Sequence, residues 1–131
     1  MDFMAFNIKQ YLLNKPEAIE DFPFGPEVAV YKVRGKMFAL MSSENQTADA
    51  KNRETRINLK CDPIEAEQLR MVFDAVIPGY HMNKKHWNTV IINGSIPDGE
   101  VKRMIDNSYK LVVKGLGKTV ANLLLAMEKD R

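Results

Sequence analysis

EVAVYKVRGKMFALMSS, from Glu27 to Ser43, contains two runs of strand-forming residues on either side of a short gap. Valine, tyrosine and phenylalanine favour extended backbone. Between the runs stands Arg34-Gly35, and a glycine there can adopt a positive φ without strain. Two such runs joined by so short a turn are typical of a β-hairpin. The segment therefore predicts an antiparallel pair of strands.

Beyond the hairpin, the sequence predicts a polar loop and three further strands. The run 43–53 has no apolar periodicity and indicates an exposed loop. ETRINLK then alternates, with Thr55, Ile57 and Leu59 on one face, as a half-buried strand does. Two more strands are expected at 80–82 and 87–92, around the loop 83–85.

The segment before the hairpin, EDFPFGPE at 20–27, contains two prolines and a glycine and predicts an ordered loop. We expect its two aromatic residues, Phe22 and Phe24, to turn into the core.

Four segments have helical periodicity, at about 3–14, 63–76, 97–115 and 118–129. The second begins at Asp62-Pro63, where the aspartate can cap free amides and the proline fits the first helical position. Its buried stripe is expected to run from Leu69 through Val72 to Val76.

The helix at 97–115 has the clearest pattern in the chain. Apolar residues, together with Ser108 and Tyr109, recur at i, i+3, i+4 and i+7 over four turns. Ser95 and Asp98, just before it, have the spacing of a capping box.

The predicted order is one helix, three strands, one helix, two strands and two helices. Because the first strands form a hairpin and turn signals separate the others, the order favours an antiparallel sheet with helices packed on one face. This is an α+β, two-layer architecture. We expect a single domain over 1–131, with the last helix, about 118–129, as an element that can lie at its periphery.

The composition narrows the class of protein. A chain of 131 residues with 45% hydrophobic and 27% charged residues fits one globular domain. The only cysteine, Cys61, cannot form an intramolecular disulfide, which favours the reducing cytoplasm. No secretory signal or long apolar run is evident, so no membrane partner is expected.

The net charge is +2, and residues 66–131 hold 10 Lys and Arg against 7 Asp and Glu. Any positive surface is therefore expected mainly in the C-terminal half.

The stretch NKKHWNTVIINGSIPDGEVKRMIDNSYKLV, residues 83–112, contains a recognisable pattern. It has an Asn-Lys-x-His-Trp run, a short strand, a Gly-Ser-hydrophobic-Pro-Asp turn and a helix with Ser-Tyr. With the acidic-aromatic PFG loop at 20–26, this pattern resembles the MmcQ/YjbR family of small bacterial proteins. The resemblance implies an α+β fold with a curved antiparallel sheet. It also implies DNA as a ligand, on grounds of fold alone. The matching positions are Asn83, Lys84, His86, Trp87, Gly94, Ser95, Pro97, Asp98, Ser108 and Tyr109.

The segment HMNKKHW, residues 81–87, has two interpretations. As a nucleic-acid contact, Lys84 and Lys85 would meet phosphates, while His86 and Trp87 would stack on a base or sugar. As a structural element, Trp87 would begin a strand and pack on the sheet, and the lysines would stand in a solvated turn. For Trp87 we favour the structural interpretation, because the single tryptophan of a chain is usually mostly buried, whereas both interpretations remain open for the lysines.

Two further basic groups are candidates. Arg103, Lys110 and Lys114 fall within about 40° of one another on the polar face of the third long helix, at ~100° per residue. Such a stripe could follow a phosphate backbone, although bases near a helix C-terminus are also favoured by the helix dipole. Arg34, with its hairpin neighbours Lys32 and Lys36, could touch a duplex or could instead protect an exposed strand edge.

Catalytic motifs are missing from the sequence. The spacing of the two histidines and the cysteine does not resemble a zinc site, and neither a phosphate-binding glycine loop nor a nucleophile elbow is present. We therefore expect no metal, no cofactor and no identified enzymatic activity. Ser108 and Tyr109 lie on an apolar stripe and are interpreted as core residues.

The leading hypothesis is a small cytoplasmic DNA-binding protein with modest sequence preference. Two alternatives remain. The first is a protein-interaction module that binds a partner or itself, for which the 8 methionines supply adaptable apolar surface. The second is a small-molecule-binding protein or enzyme with a pocket lined by Tyr80, His81, His86 and Trp87. The residues expected to contact DNA are Lys84, Lys85, His86, Arg103, Lys110, Lys114 and Arg34.

Overall fold

The computed structural model describes residues 7–45, 53–79 and 82–129. For residues 43–45 and 53 it describes the backbone only. Within this part of the chain it contains six strands and four helices. In chain order they are α1 (Ile8–Leu13), β1 (Ala18–Asp21), β2 (Val28–Val33), β3 (Lys36–Asn45), β4 (Arg53–Lys60), α2 (Pro63–Val72), β5 (Val76–Pro78), β6 (Trp87–Ile92), α3 (Asp98–Lys114) and α4 (Lys118–Lys129).

The six strands form one antiparallel sheet in the order β1-β2-β3-β4-β6-β5. The register aligns one row of side chains across four strands: Tyr31 opposite Ala39, Ala39 opposite Leu59, and Leu59 opposite Asn88. All four are buried. The predicted α+β class with an antiparallel sheet is confirmed.

The hairpin of β2 and β3 is confirmed with its turn. Arg34 has φ of 52° and Gly35 has φ of 81°. Two successive residues with positive φ are what a two-residue hairpin turn of the favoured twist requires. The register shifts between Tyr31 and Lys32, because Tyr31 opposes Ala39 while Lys32 opposes Met37. Phe38 is therefore an extra residue on β3, a β-bulge that bends the strand.

Helix α3 covers the centre of the sheet, across β3 and β4. Its predicted stripe is confirmed, since Val101, Ile105 and Tyr109 are fully buried. The ring of Tyr109 meets that of Phe38 edge to face, with centroids 5.2 Å apart. The Tyr109 hydroxyl donates a hydrogen bond of 2.7 Å to the carbonyl of Pro16. Tyr109 therefore ties α3 to the bulged strand and to the segment that follows α1.

The Ser108 side chain joins α3 to two strands at once. The ladder between β3 and β4 begins with Ala39 opposite Leu59, so Phe38 and Lys60 lie one step beyond it. There the buried Ser108 hydroxyl accepts a hydrogen bond of 2.8 Å from the Lys60 N–H and donates one of 2.6 Å to the Phe38 carbonyl. The hydroxyl thus occupies the place where the next direct bond between the strands would form. The ends of β3 and β4 are held apart by a side chain from the helix.

Four local predictions are wrong. The exposed loop expected at 43–53 is shorter than predicted, because β3 continues to Asn45 and β4 begins at Arg53. Glu20 and Asp21 were expected in a loop but belong to β1, whose pairing with β2 makes them strand. The second helix ends at Val72 rather than Val76, and Val76 begins β5. The capping box is also absent. The N-cap of α3 is Pro97, without a side-chain hydrogen bond, and the Ser95 hydroxyl instead donates to Asn93.

The expected burial is wrong for three apolar residues. Phe22 is 45% exposed, Phe24 70% and Val72 70%. Phe22 and Phe24 lie in the short connection between β1 and β2, at the edge of the sheet where no further strand can cover them. Val72 is in the last turn of α2, and the chain then turns into β5 instead of continuing the buried face.

Two of the remaining predictions are confirmed. Asp62 caps α2 by accepting from the N–H groups of Ile64 and Glu65, with Pro63 in the first turn. The last helix has the predicted bounds and buries Ala121 and Leu124, although Leu123 is half exposed.

The predicted strand at 80–82 falls largely outside the described residues, and Met82 is not in a strand. None of the helices in the described ranges has the length and apolar character needed to cross a bilayer.

We predict that Ser108→Ala lowers the free energy of unfolding by about 1–3 kcal/mol, because it leaves a partly buried N–H and a buried carbonyl without their shared partner. Ser95→Ala is the matched control. Its hydroxyl is exposed and bonds only to Asn93, so the loss is expected to stay within about 0.5 kcal/mol. Urea unfolding of both variants measures the difference, and equal losses would contradict the role given to Ser108.

Candidate nucleic-acid interface

The turn before β6 is organised by Asn83. Its carbonyl accepts hydrogen bonds from the N–H groups of His86 (3.1 Å) and Trp87 (2.9 Å), and its side-chain oxygen accepts one of 3.0 Å from the N–H of Lys85. An asparagine that satisfies the backbone in this way is typical of tight turns. The turn leaves Lys84 and Lys85 exposed and brings Trp87 to the first position of the strand.

Helix α2 fixes the same turn from outside. The Arg70 guanidinium donates to the carbonyl of Lys84 and, at 2.8 Å, to the side-chain oxygen of buried Asn88. On the other side, the Gly79 N–H donates to the Trp87 carbonyl, and a Cβ at Gly79 would lie only 3.0 Å from that oxygen. The backbone around Trp87 therefore has little freedom to shift.

Trp87 lines an open groove of about 400 Å³ at one end of the sheet. The ends of three antiparallel strands meet there, with the start of β3, the end of β4 and the start of β6 side by side, and the C-terminal part of α3 forms the other wall. We call this the Trp87 groove. Its lining residues are Lys36, Met37, Lys60, Trp87, Leu111, Val112 and Gly115.

The Trp87 groove has an unbalanced charge. Among the described residues that line it, Lys36 and Lys60 are cationic and none is acidic. Within the described part of the chain, neither lysine forms an ion pair. The C-terminus of α3 contributes partial negative charge nearby, but Lys114 stands beside Gly115 in the last turn of that helix and offsets it. The groove is therefore a favourable place for an anion.

Arg103 differs from these lysines, because two carboxylates already hold it. Its guanidinium lies 3.0 Å from a Glu65 oxygen and 3.2 Å from a Glu100 oxygen. The hydrogen bonds with Glu65 and then Glu100 raise the pKa of Arg103 further. This residue connects α3 to α2, and its charge is compensated where it stands.

Arg34 is also paired. Its guanidinium meets the Glu17 carboxylate in a two-point contact, at 2.5 Å and 3.1 Å. That contact lowers the pKa of Glu17 and raises that of Arg34. Lys32 beside it lies 3.3 Å from Asp21. Of the three basic residues of the hairpin, Lys36 is the one without an ion pair within the described residues.

Lys110 lies at a second cavity, between α1, α3 and α4, of about 410 Å³. At its centre the buried Lys15 ammonium binds Asp106 and Glu128, both at 2.5 Å. Tyr11 donates to Asp106, and burial followed by that hydrogen bond raises the pKa of its phenol. This cluster fastens the first and last helices to α3. The predicted helix stripe is thus divided, with Arg103 paired, Lys110 at this cavity and Lys114 near the Trp87 groove.

Two residues of the predicted pocket of Tyr80, His81, His86 and Trp87, namely Tyr80 and His81, lie outside the described residues. Trp87 lines the groove described above, with different neighbours. His86 is half-buried, and its carbonyl accepts a hydrogen bond of 2.7 Å from the N–H of Cys61. His86 thereby extends the pairing of β4 with β6 by one residue.

Cys61 lies in the core at the end of β4. Burial, followed by the charges of Glu65 and Asp62, raises the pKa of its thiol to about 11. A thiol of this kind is protonated at neutral pH and is a poor nucleophile. Among residues 7–45, 53–79 and 82–129, no three His, Cys, Asp or Glu side chains are grouped as metal ligands would be.

Lys60 and Met37 are the site residues that sequence reasoning missed. Lys60 was interpreted only as the end of a strand, and Met37 only as part of the hairpin. The available signal was positional, because Lys36, Lys60 and Trp87 are each the first or last residue of a strand. The strand order is needed to bring these three ends together, and single-strand patterns do not supply it.

Comparison with known proteins gives a consistent picture. The family model described as YjbR matches residues 13–111. Among curated proteins, YbdF of Escherichia coli O157:H7 is 38% identical over 84% of this chain and 84% of its own length. YjbR of Escherichia coli K12 is 33% identical over 90% of this chain and 94% of its own length. Both are named as uncharacterized proteins, so they carry no activity over.

Solved structures are similar in fold. A crystal structure of a Deinococcus radiodurans protein with domain DUF419 superposes with a TM-score of 0.75 and 34% identity, covering 88% of this chain and 83% of the other. A crystal structure of a Pseudomonas syringae protein gives 0.67 and 31%, covering 81% of this chain and 98% of the other. The sheet and helices described above are thus an arrangement that related proteins share.

We predict that iodoacetamide alkylates Cys61 in the folded protein at pH 8 on the order of a hundredfold more slowly than in the urea-unfolded chain. The reason is that a thiol with a pKa of about 11 holds far less thiolate at this pH than a free cysteine. Mass spectrometry of timed samples gives both rates. Equal rates would contradict the buried, protonated thiol.

Proposed function

This chain belongs to the YjbR family, and we propose that it binds DNA through the Trp87 groove and the exposed lysines around it. The observation that carries the proposal is the positive charge of Lys36 and Lys60 beside Trp87, which no ion pair compensates within the described residues. A surface lysine paired with a carboxylate gains little from a phosphate, because it must first lose its partner. Lysines without one can neutralise phosphates and release counterions.

Residues outside the groove extend this surface. Lys84 and Lys85 are exposed in the turn that ends at Trp87, with His86 next to them, and Lys114 precedes Gly115 of the groove. Contacts of this kind carry no sequence information, so the expected binding has modest sequence preference. A DNA partner implies a cytoplasmic location, with which a single buried thiol is compatible.

Three of the basic residues expected from the sequence contribute less under this proposal. Arg103 and Arg34 already bind carboxylates, and Lys110 stands over the Lys15 cluster with its two acidic residues. Under this proposal they are therefore not direct phosphate contacts.

We predict that Lys60→Glu weakens DNA binding, and that Lys36→Glu/Lys60→Glu weakens it at least roughly tenfold at about 50 mM salt. The slope of log affinity against log salt should fall by about 1 for each lost phosphate contact. The measurement is fluorescence anisotropy of a labelled oligonucleotide, in single-stranded and duplex form, between about 50 and 200 mM salt.

Lys129→Glu is the matched control for this charge reversal. Lys129 is exposed at the C-terminal end of α4, whereas the N-terminal end, Lys118, follows Gly115 of the groove closely in sequence. At 1.5 Å per residue, Lys129 lies about 16 Å from Lys118 along the helix axis. Its affinity and salt slope should stay close to those of the unaltered protein. Absence of binding to either form of DNA at about 50 mM salt, or equal effects of Lys60→Glu and Lys129→Glu, would refute the proposal.

We further predict that Arg103→Gln changes DNA affinity by less than about twofold at 150 mM salt, while Lys60→Gln reduces the salt slope by about 1. Eight residues separate Arg103 from Leu111 of the groove, which is about 12 Å along α3 and beyond the Debye length of about 8 Å. The same anisotropy titration compares the two variants. A larger loss of DNA affinity for Arg103→Gln would contradict this prediction and indicate that DNA binds along the polar face of α3.

A further inference from the structure

The geometry points to single-stranded DNA as the ligand of this chain, with one unpaired base held against Trp87 in the Trp87 groove. This inference rests on the proposed function, since it names the form of DNA that the same site takes. It is carried by the shape of the groove, by the chemistry of its lining and by the rigidity of the residues around Trp87.

The shape of the groove suits an unpaired nucleotide. Its volume of about 400 Å³ lies in the range of pockets that hold small ligands, roughly 300–1,000 Å³. A duplex keeps its bases stacked inside and presents a convex row of phosphates, so it would touch only the rim of such a recess. A base in a single strand can leave the stack and enter it.

The lining combines apolar residues, which suit a base, with cationic residues, which suit its phosphates. Trp87 is the aromatic residue of the lining, and Met37 and Leu111 line the same recess as apolar neighbours. Lys36 and Lys60 supply cations for the adjoining phosphates. In the described part of the chain, no carboxylate or side-chain amide lines the groove to read a base edge. An aromatic platform within a basic groove is the usual way to bind a single strand with little sequence preference.

The groove is also preorganised. The N–H and the carbonyl of Trp87 are both bonded, to Asn83 and Gly79 respectively, each at 2.9 Å. Ser108 keeps the backbone of Lys60 apart from that of Phe38 at the end of the sheet. Because these backbone positions are fixed before the ligand arrives, little order must be created on binding.

Trp87 is the only tryptophan of the 131 residues, so its intrinsic fluorescence reports on this site alone. The test titrates the full chain with a 12-nucleotide thymidine oligomer, with a mixed-sequence single strand of equal length, and with the duplex of that strand. Tryptophan emission and anisotropy of a labelled oligomer are followed together at about 50 mM salt. We expect both single strands to bind more tightly than the duplex and to quench the emission.

Trp87→Leu should weaken single-strand binding roughly 5- to 150-fold, which corresponds to about 1–3 kcal/mol for one stacked base. Trp87→Phe keeps a smaller aromatic face and should restore part of the affinity, which separates stacking from loss of folding. The quenching experiment uses the unaltered chain and does not depend on either variant.

The outcomes distinguish this inference from the proposed function. Duplex binding that equals or exceeds single-strand binding, with unchanged tryptophan emission and continued dependence on Lys36 and Lys60, would overturn the single-strand inference and leave DNA binding standing. Failure of both forms to bind would overturn both. Tight single-strand binding that quenches the emission of the unaltered chain, together with a loss of affinity in Trp87→Leu measured by anisotropy, would support both.

Discussion

The buried hydroxyl of Ser108 is the contact on which the arrangement of this protein depends. It stands between the Lys60 N–H and the Phe38 carbonyl, where two strands of the sheet would otherwise bond directly. Because the hydroxyl both accepts and donates, it gives a partner to the Lys60 N–H and to the Phe38 carbonyl at once. The same contact sets the position of α3 on the sheet and separates the strand ends. Beyond that separation lies the Trp87 groove, with Lys36, Met37 and Lys60 on its strand side.

Charge pairing then divides the basic residues into two groups. Arg34 and Arg103 are held by nearby carboxylates, and Lys15 is buried between two more. These residues fasten elements to one another: the hairpin to the segment after α1, α3 to α2, and α1 to α3 and α4. The lysines of the groove perform no such task among the described residues. A net charge of +2 conceals this division, because compensation in one region leaves positive potential in another.

Elements with their own periodicity were predictable from the sequence, and elements defined by their neighbours were not. Helix α3 shows its buried stripe over four turns, and the hairpin shows its turn through Arg34-Gly35. By contrast, β1 consists of four residues, AIED, with little strand propensity, and becomes a strand by pairing with β2. Val76 continues a helical spacing but lies in β5, because backbone pairing with β6 outweighs the local pattern. Phe22 and Phe24 are apolar yet exposed at the edge of the sheet.

The sequence by itself determined the α+β class, the hairpin, the bounds of the last two helices to within about a residue, and the resemblance to the family to which the chain belongs. It also named Trp87 and its neighbouring lysines as candidates for a site. Only the tertiary structure decided which basic residues are paired and which strand ends meet. The physical reason is that periodicity depends on residues a few positions apart. Ion pairs such as Arg103 with Glu65, and the approach of Lys36, Lys60 and Trp87, depend instead on strand order and helix packing.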